Sequence, residues 1–213
     1  WRPVTAVSID VVDSTPLINS AKGERYGQTM QAYYRHCREI TEHYQGSLEM
    51  PRSDDGLIAY FGFPRAIEGA ASRAMMAAWR LSQTLDRMGL KVRIGVASGE
   101  VAVNTQLAYG AGVHLAARAR ALAQPGQIIV APATLPRIGP EFRLEVFARD
   151  VALKGFADAF TLYRLTGVSM QRTAEPGGVR RFVGRQQELQ ALGRLLDGCD
   201  GAGSHWCLVR GEA

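Results

Sequence analysis

No apolar run in this sequence approaches the ~18–20 residues that a membrane-spanning helix requires, so no span is expected. Cysteine is scarce. Cys37, Cys199 and Cys207 are odd in number and lack metal-ligand spacing, which argues against a disulfide framework and fits a reduced, cytoplasmic setting. The first residues do not follow the pattern of a secretory leader. Charge of one sign is not concentrated either. The net charge is +5 over 213 residues, yet the basic side chains are scattered apart from Arg172, Arg180, Arg181 and Arg185. Without a basic stripe, nucleic acid is not an expected partner, and a solvated surface that tolerates anionic substrates fits better.

What is present is an ordinary globular balance, 46% hydrophobic and 21% charged, in a chain somewhat longer than one average domain. Val4–Asp10 is rich in β-branched residues and predicts a strand, and Ser14-Thr15-Pro16 supplies cap residues with a proline at a first helical position. Tyr26, Met30, Tyr33, Cys37, Ile40 and Tyr44 recur at helical spacing, predicting a helix over 24–45 that Gly46 stops. Asp55-Gly56 between Ser47–Met50 and Leu57–Phe61 signals a hairpin. A second amphipathic helix is expected over 67–88 along Ile67, Ala71, Met75, Ala78, Leu81, Leu85 and Met88.

Strands are expected at Lys91–Ala97 and Val101–Val103, then a helix over 112–123 ended by Pro125-Gly126. Further strands are expected at Ile128–Ala131, Phe142–Phe147, Val151–Lys154 and Phe160–Leu165. Mixed strands and helices with several hairpins point to an α+β sheet covered by helices. Residues 167–180 lose periodicity and predict a linker, after which a pattern resumes from Arg181. Trp1 begins as abruptly as Gly211-Glu212-Ala213 ends, which reads as a piece of a longer chain.

Two aspartates stand out chemically. Asp10 ends an apolar strand just before a capped helix, and Asp55 tops a hairpin. Each suits ordinary turn chemistry. Each also suits a hard cation, since Mg²⁺ takes one or two carboxylates together with substrate phosphates, and a helix N-terminus offers those phosphates N–H donors. If the two strands are neighbours, the pair meets the geometry of two-metal phosphoryl chemistry.

Val4-Thr5-Ala6-Val7-Ser8-Ile9-Asp10-Val11-Val12-Asp13-Ser14-Thr15 resembles the opening of class III nucleotidyl cyclases. Asp54-Asp55-Gly56-Leu57-Ile58-Ala59-Tyr60-Phe61 resembles their Gly-Asp-Gly hairpin. Val92–Gly99, Leu115-Ala116-Ala117-Arg118 and Leu153-Lys154-Gly155 follow in the family's order.

The resemblance implies a ferredoxin-like, βαββαβ-related fold with a mostly antiparallel sheet over residues 1–166. It implies cyclisation of a nucleoside triphosphate, ATP ahead of GTP, to a cyclic 3′,5′-nucleotide and pyrophosphate. Two Mg²⁺ or Mn²⁺ ions would sit on Asp10, Asp55 and Val11. Arg118, His114 and Lys154 would support the reaction, and Ser14, Thr15, Pro51, Arg52 and Leu107 would line the substrate. It further implies a head-to-tail homodimer with aspartates from one protomer and arginine from the other. Without the resemblance, Arg118 reads as a surface helix residue, Lys154 as an edge-strand lysine and His114 as a helix-surface or dimer-face histidine.

Several positions depart from the family pattern. Pro51, four before Asp55, and Leu107, three before Gly110, stand where base-selecting side chains usually lie, and neither side chain can hydrogen-bond a base. His114 replaces the usual asparagine, Asp54 the usual glycine, and ten residues separate Gly99 from Gly110 where relatives carry more. The alternative reading is therefore a weak or inactive cyclase-homology dimer that binds nucleotide and regulates an attached module. Arg181–Leu189 resembles the start of an AAA-type NTPase domain, so 181–213 is expected to be its first part, without a phosphate-binding loop.

Overall fold

The computed structural model describes residues 2–12, 23–49, 56–103, 108–169 and 190–191. Residues 1–172 form one compact unit and 173–213 a second. Of the second unit, Gln190 and Ala191 are described, both helical, and the rest of the expected NTPase start lies outside the described residues.

The first unit runs β1 (Arg2–Val11), α1 (Gly23–His43), β2 (Ser47–Glu49), β3 (Leu57–Phe61), α2 (Ala70–Arg87) and β4 (Val92–Val103). It continues with β5 (Ala108–Tyr109), α3 (Ala111–Leu122), β6 (Ile128–Val130), a 3-10 turn (Pro132–Arg137), β7 (Phe142–Ala152) and β8 (Ala159–Val168). Sheet order is β2-β3-β1-β4-β6-β8-β7, with β5 paired to the end of β4. Among the described residues, β4–β6 is the one parallel pair. The first six elements make the expected βαββαβ unit, in which β3 lies between β1 and β2.

β1 is central, paired to β3 on one side and to β4 on the other, and Val4 through Ile9 are all buried. Strand alternation divides it between two cores. Val7, Ile9 and Val11 pack with Met30, Tyr33 and Cys37 of α1 and with Met75, Leu81 and Leu85 of α2. Val4 and Ala6 pack on the opposite face with Leu115 and Ala116 of α3. Ser8 and Asp10, in phase with Ala6, belong to the α3 face.

α3 lies unusually close to that face. A Cβ on Gly95 of β4 would overlap the Ala116 carbonyl oxygen and the Arg120 backbone nitrogen, and one on Gly99 would stand 3.2 Å from the Gly112 Cα. α3 therefore runs antiparallel to β4, backbone against backbone.

Four expectations change. The helix expected from Ile67 starts at Ala70, because Gly69 at φ 64° breaks the helical run. The strands expected at Lys91–Ala97 and Val101–Val103 are one strand, since Gly99 continues the ladder opposite Val4. Phe142–Phe147 and Val151–Lys154 are likewise one strand, with register shifts that absorb Asp150 at φ 52°. It ends at Ala152, so Lys154 lies in the turn to β8, beside Gly155 at φ 92°. β8 continues through Gly167 and Val168, which composition alone assigned to the linker.

Two outcomes follow from this packing. Gly95→Ala pits a methyl group against backbone that cannot yield unless α3 moves, a loss on the order of 2–3 kcal/mol. In thermal denaturation it lowers Tm by roughly 5–10 °C, whereas Gly27→Ala, in α1 with open space around it, leaves Tm unchanged or raised. Burial also pushes the Cys37 thiol up from 9.0 to about 12, and raises the Tyr33 phenol beside it. The unfolded chain deprotonates first, so this contribution to stability is whole below pH 9 and is lost between pH 9 and 12. Tm should fall steeply over that window, and Cys37 should resist thiol reagents at pH 8 until the protein unfolds.

Candidate active site

Asp10 stands one residue from the end of β1, where the strand emerges from between two cores. Its side chain is 29% exposed, and no hydrogen bond to its carboxylate is found among the described residues. Arg93, opposite it on β4, brings Nη2 to 3.9 Å of Oδ2, the outer limit of an ion pair. Such a loose contact leaves the carboxylate oxygens uncommitted. Arg93 Nε is buried and without a partner, an unmet donor beside the acid. Behind the strand end lies Tyr33, whose phenol is raised by burial first, then by Cys37 and Tyr34, and also by the charge of Asp10.

Val11 follows on the other face, 3% exposed. The Val12 N–H donates to Lys91 O at 2.8 Å, so the backbone of Val12 faces β4. Successive residues of a strand direct their backbone groups to alternate sides, which turns the Val11 carbonyl toward the β3 side. There the described ladder stops at Leu57, opposite Ile9. Carboxylate and carbonyl oxygen are hard donors suited to Mg²⁺ or Mn²⁺. Among the described residues no three His, Cys, Asp or Glu come together, so a cation here would need ligands beyond them.

His114 and Arg118 lie one turn apart on α3, on the stripe that faces away from the sheet, and both are exposed. Leu122, a further turn along the same stripe, is 41% exposed. Lys154 is exposed in the β7–β8 turn, whose Leu153 and Phe156 pack into the α3 cluster. No side-chain hydrogen bond or ion pair of His114, Arg118 or Lys154 is found among the described residues, so the chain does not join them to Asp10. Ser14, Thr15, Pro51, Arg52, Asp55 and Leu107 lie outside the described residues.

Sequence reasoning passed over Arg93, which it quoted within the strand motif without a role. The available signal was register, since any strand pairing antiparallel with β1 opposes Asp10 with a residue whose side chain shares its face. It also passed over β5. Its pairing of Ala108–Tyr109 with Ala102–Val103 shows that the short 99–110 segment still closes as a hairpin.

Comparison with known proteins gives a consistent picture. The chain is 27% identical over its whole length to an uncharacterised protein of Rhizobium meliloti (strain 1021), of which it spans 22%. Its fold matches the guanylate cyclase domain of RhGC from Catenaria anguillulae, solved in complex with GTP, with a TM-score of 0.69, 18% identity, and 79% of this chain and 98% of that one covered. It also matches the adenylyl cyclase CyaB from P. aeruginosa, with a TM-score of 0.70, 18% identity, and coverage of 79% and 96%. The adenylate and guanylate cyclase catalytic domain matches residues 1–167, and the chain belongs to that family.

Proposed function

We propose that this chain cyclises a purine nucleoside triphosphate, ATP ahead of GTP, by two-metal catalysis in a site completed by a second copy. The observation that carries the reading is Asp10, held at the half-exposed end of the buried central strand with uncommitted carboxylate oxygens. Asp55 precedes Leu57 by two residues, so covalent geometry keeps their Cα atoms within about 7 Å. Leu57 in turn pairs with Ile9, the residue before Asp10. In this reading Asp55 approaches Asp10 from the start of the neighbouring strand, as a shared cation site requires.

In this reading Asp10, Asp55 and the Val11 carbonyl hold Mg²⁺ or Mn²⁺, which when bound ease ionisation of the ribose 3′-hydroxyl and offset charge on the phosphates. The 3′-oxygen attacks the α-phosphorus, the bond to the bridging oxygen of the β-phosphate breaks, and pyrophosphate leaves. Arg118 neutralises charge on the transferring phosphoryl group, His114 donates a hydrogen bond beside it, and Lys154 contacts the phosphates. In this reading Ser14 and Thr15 contact the substrate phosphates. Because α3 displays His114 and Arg118 away from the sheet, a head-to-tail partner is the source of these groups for each Asp10.

Base selection falls to Arg52 or to backbone groups, since Pro51 and Leu107 offer no side-chain donor. That same lack supports a second reading, a nucleotide-binding dimer with little turnover that regulates an attached NTPase region. No described helix is long and apolar enough to cross a membrane, and the buried free thiol of Cys37 suits a reducing, cytoplasmic setting.

Purified protein supplied with Mn²⁺ or Mg²⁺ and each of ATP, GTP, CTP and UTP separates the two readings. The enzyme reading expects a cyclic purine nucleotide, lowered at least about 100-fold in Asp10→Ala and in Asp55→Ala. Binding of every triphosphate with cyclisation of none, at any protein concentration, leaves the regulatory reading in its place. At low protein concentration, turnover should rise faster than the first power of enzyme; strict proportionality from a monomer would count against a shared site.

A further inference from the structure

At the other end of β1 lies a cavity of about 870 Å³ that the cyclase reaction does not use. Its charged lining, among the described residues, consists of Arg2, Arg65 and Arg137, with no carboxylate. The three arginines come from separate parts of the chain: the start of β1, the loop after β3, and the 3-10 turn after β6. Arg2 donates to the Pro64 carbonyl at 3.2 Å and Arg137 to the Ala133 carbonyl at 2.5 Å. These bonds orient the side chains without neutralising them. Arg65 has no hydrogen bond or ion pair among the described residues. Each guanidinium carries five N–H donors, so most of their donor capacity faces open space.

Like charges gathered on one cavity without a counter-charge repel one another, and an anion relieves that repulsion. The walls add to it. α2 opens on the cavity through Ala70 and Ala71, behind Gly69 in the left-handed region, with neither a side-chain cap nor an acidic first turn. The first N–H groups of an 18-residue helix therefore point there without a side-chain acceptor. Glu68 is not part of the lining, and its carbonyl is taken by Arg73. Pro64, Ala66 and Ile67 give one wall an apolar surface.

We propose that this cavity is a binding site for a polyphosphate-bearing small molecule, separate from the catalytic site. The donors are charged and forked, which suits phosphate oxygens above a single carboxylate. Thr5 lines the cavity and lies five residues from Asp10, about 17 Å along an extended strand. One ligand cannot occupy both ends through the same phosphates. Occupancy here would bear on the same strand that presents Asp10, which makes the cavity suited to an effector.

The test uses the full 213-residue chain in EDTA, so that metal-dependent binding at Asp10 is silent. Tripolyphosphate and ATP are titrated by calorimetry, and thermal shifts are read in parallel. Saturable binding is expected, weakened at least about tenfold in Arg65→Gln/Arg137→Gln and retained in Asp10→Ala. Both substituted arginines are exposed, and circular dichroism confirms folding of the variant. Equal affinities identify bare polyphosphate chemistry, and tighter ATP binding that needs the same arginines identifies a nucleotide using the apolar wall. No saturable binding up to millimolar probe, or undiminished binding by the double variant, overturns the proposal. Because Asp10→Ala carries its own arm, failure here is distinguishable from failure of the cyclase reading.

Discussion

The contact on which the rest of the domain depends is the backbone-to-backbone seat of α3 on β4. Gly95, Gly99 and Gly112 remove the side chains that would hold helix and sheet apart, and Leu115, Ala116 and Ala119 fill what remains. This seat does two things at once. It closes the second core over the central strand, so that Asp10 emerges from a rigid, doubly packed β1. It also fixes which residues of α3 look outward, and these are His114, Arg118 and Leu122. The aspartate sits on the sheet and the arginine on the far side of the helix covering it, a division that the proposed function bridges with a second chain.

Much of this was legible in the amino-acid order, for physical reasons. The helical stripe Met30, Tyr33, Cys37 and the stripe Ala71, Met75, Ala78, Leu81, Leu85 are both buried as expected, because apolar periodicity reports burial directly. The position of Asp10 at the end of a buried strand was legible in the same way, whereas its role as a metal ligand came only from the resemblance. Less legible were features set by tertiary contact. Gly99 looked like a break between strands, yet it is a packing glycine inside one. Asp150 and its bulged neighbours looked like a gap in β7, because propensity scores a left-handed residue as a turn. Arg93 drew no role, since nothing local indicates which residue opposes Asp10 across a strand pair.

β1 also organises the distribution of charge. Its C-terminal end offers Asp10 with one loosely held arginine, an arrangement suited to cations that carry phosphates. The cavity beside its N-terminal end is lined by three arginines and, among the described residues, no carboxylate, which suits phosphates without a cation. If both proposals hold, a single strand links two phosphate-directed environments of opposite sign. In the proposed reading, the departures at Pro51, Leu107 and His114 would bear on base recognition and on support of the developing charge rather than on Asp10.

The central claim is that catalysis needs Asp10 from one copy and Arg118 from another. Complementation tests it directly. Asp10→Ala and Arg118→Ala chains, each nearly inactive alone, are mixed in equal amounts and allowed to exchange partners. Random pairing makes half of the dimers mixed, each with one intact site of two, so the mixture should regain about a quarter of wild-type specific activity. A mixture no more active than the better single variant, with mixed dimers demonstrated by differential tagging, would contradict the account.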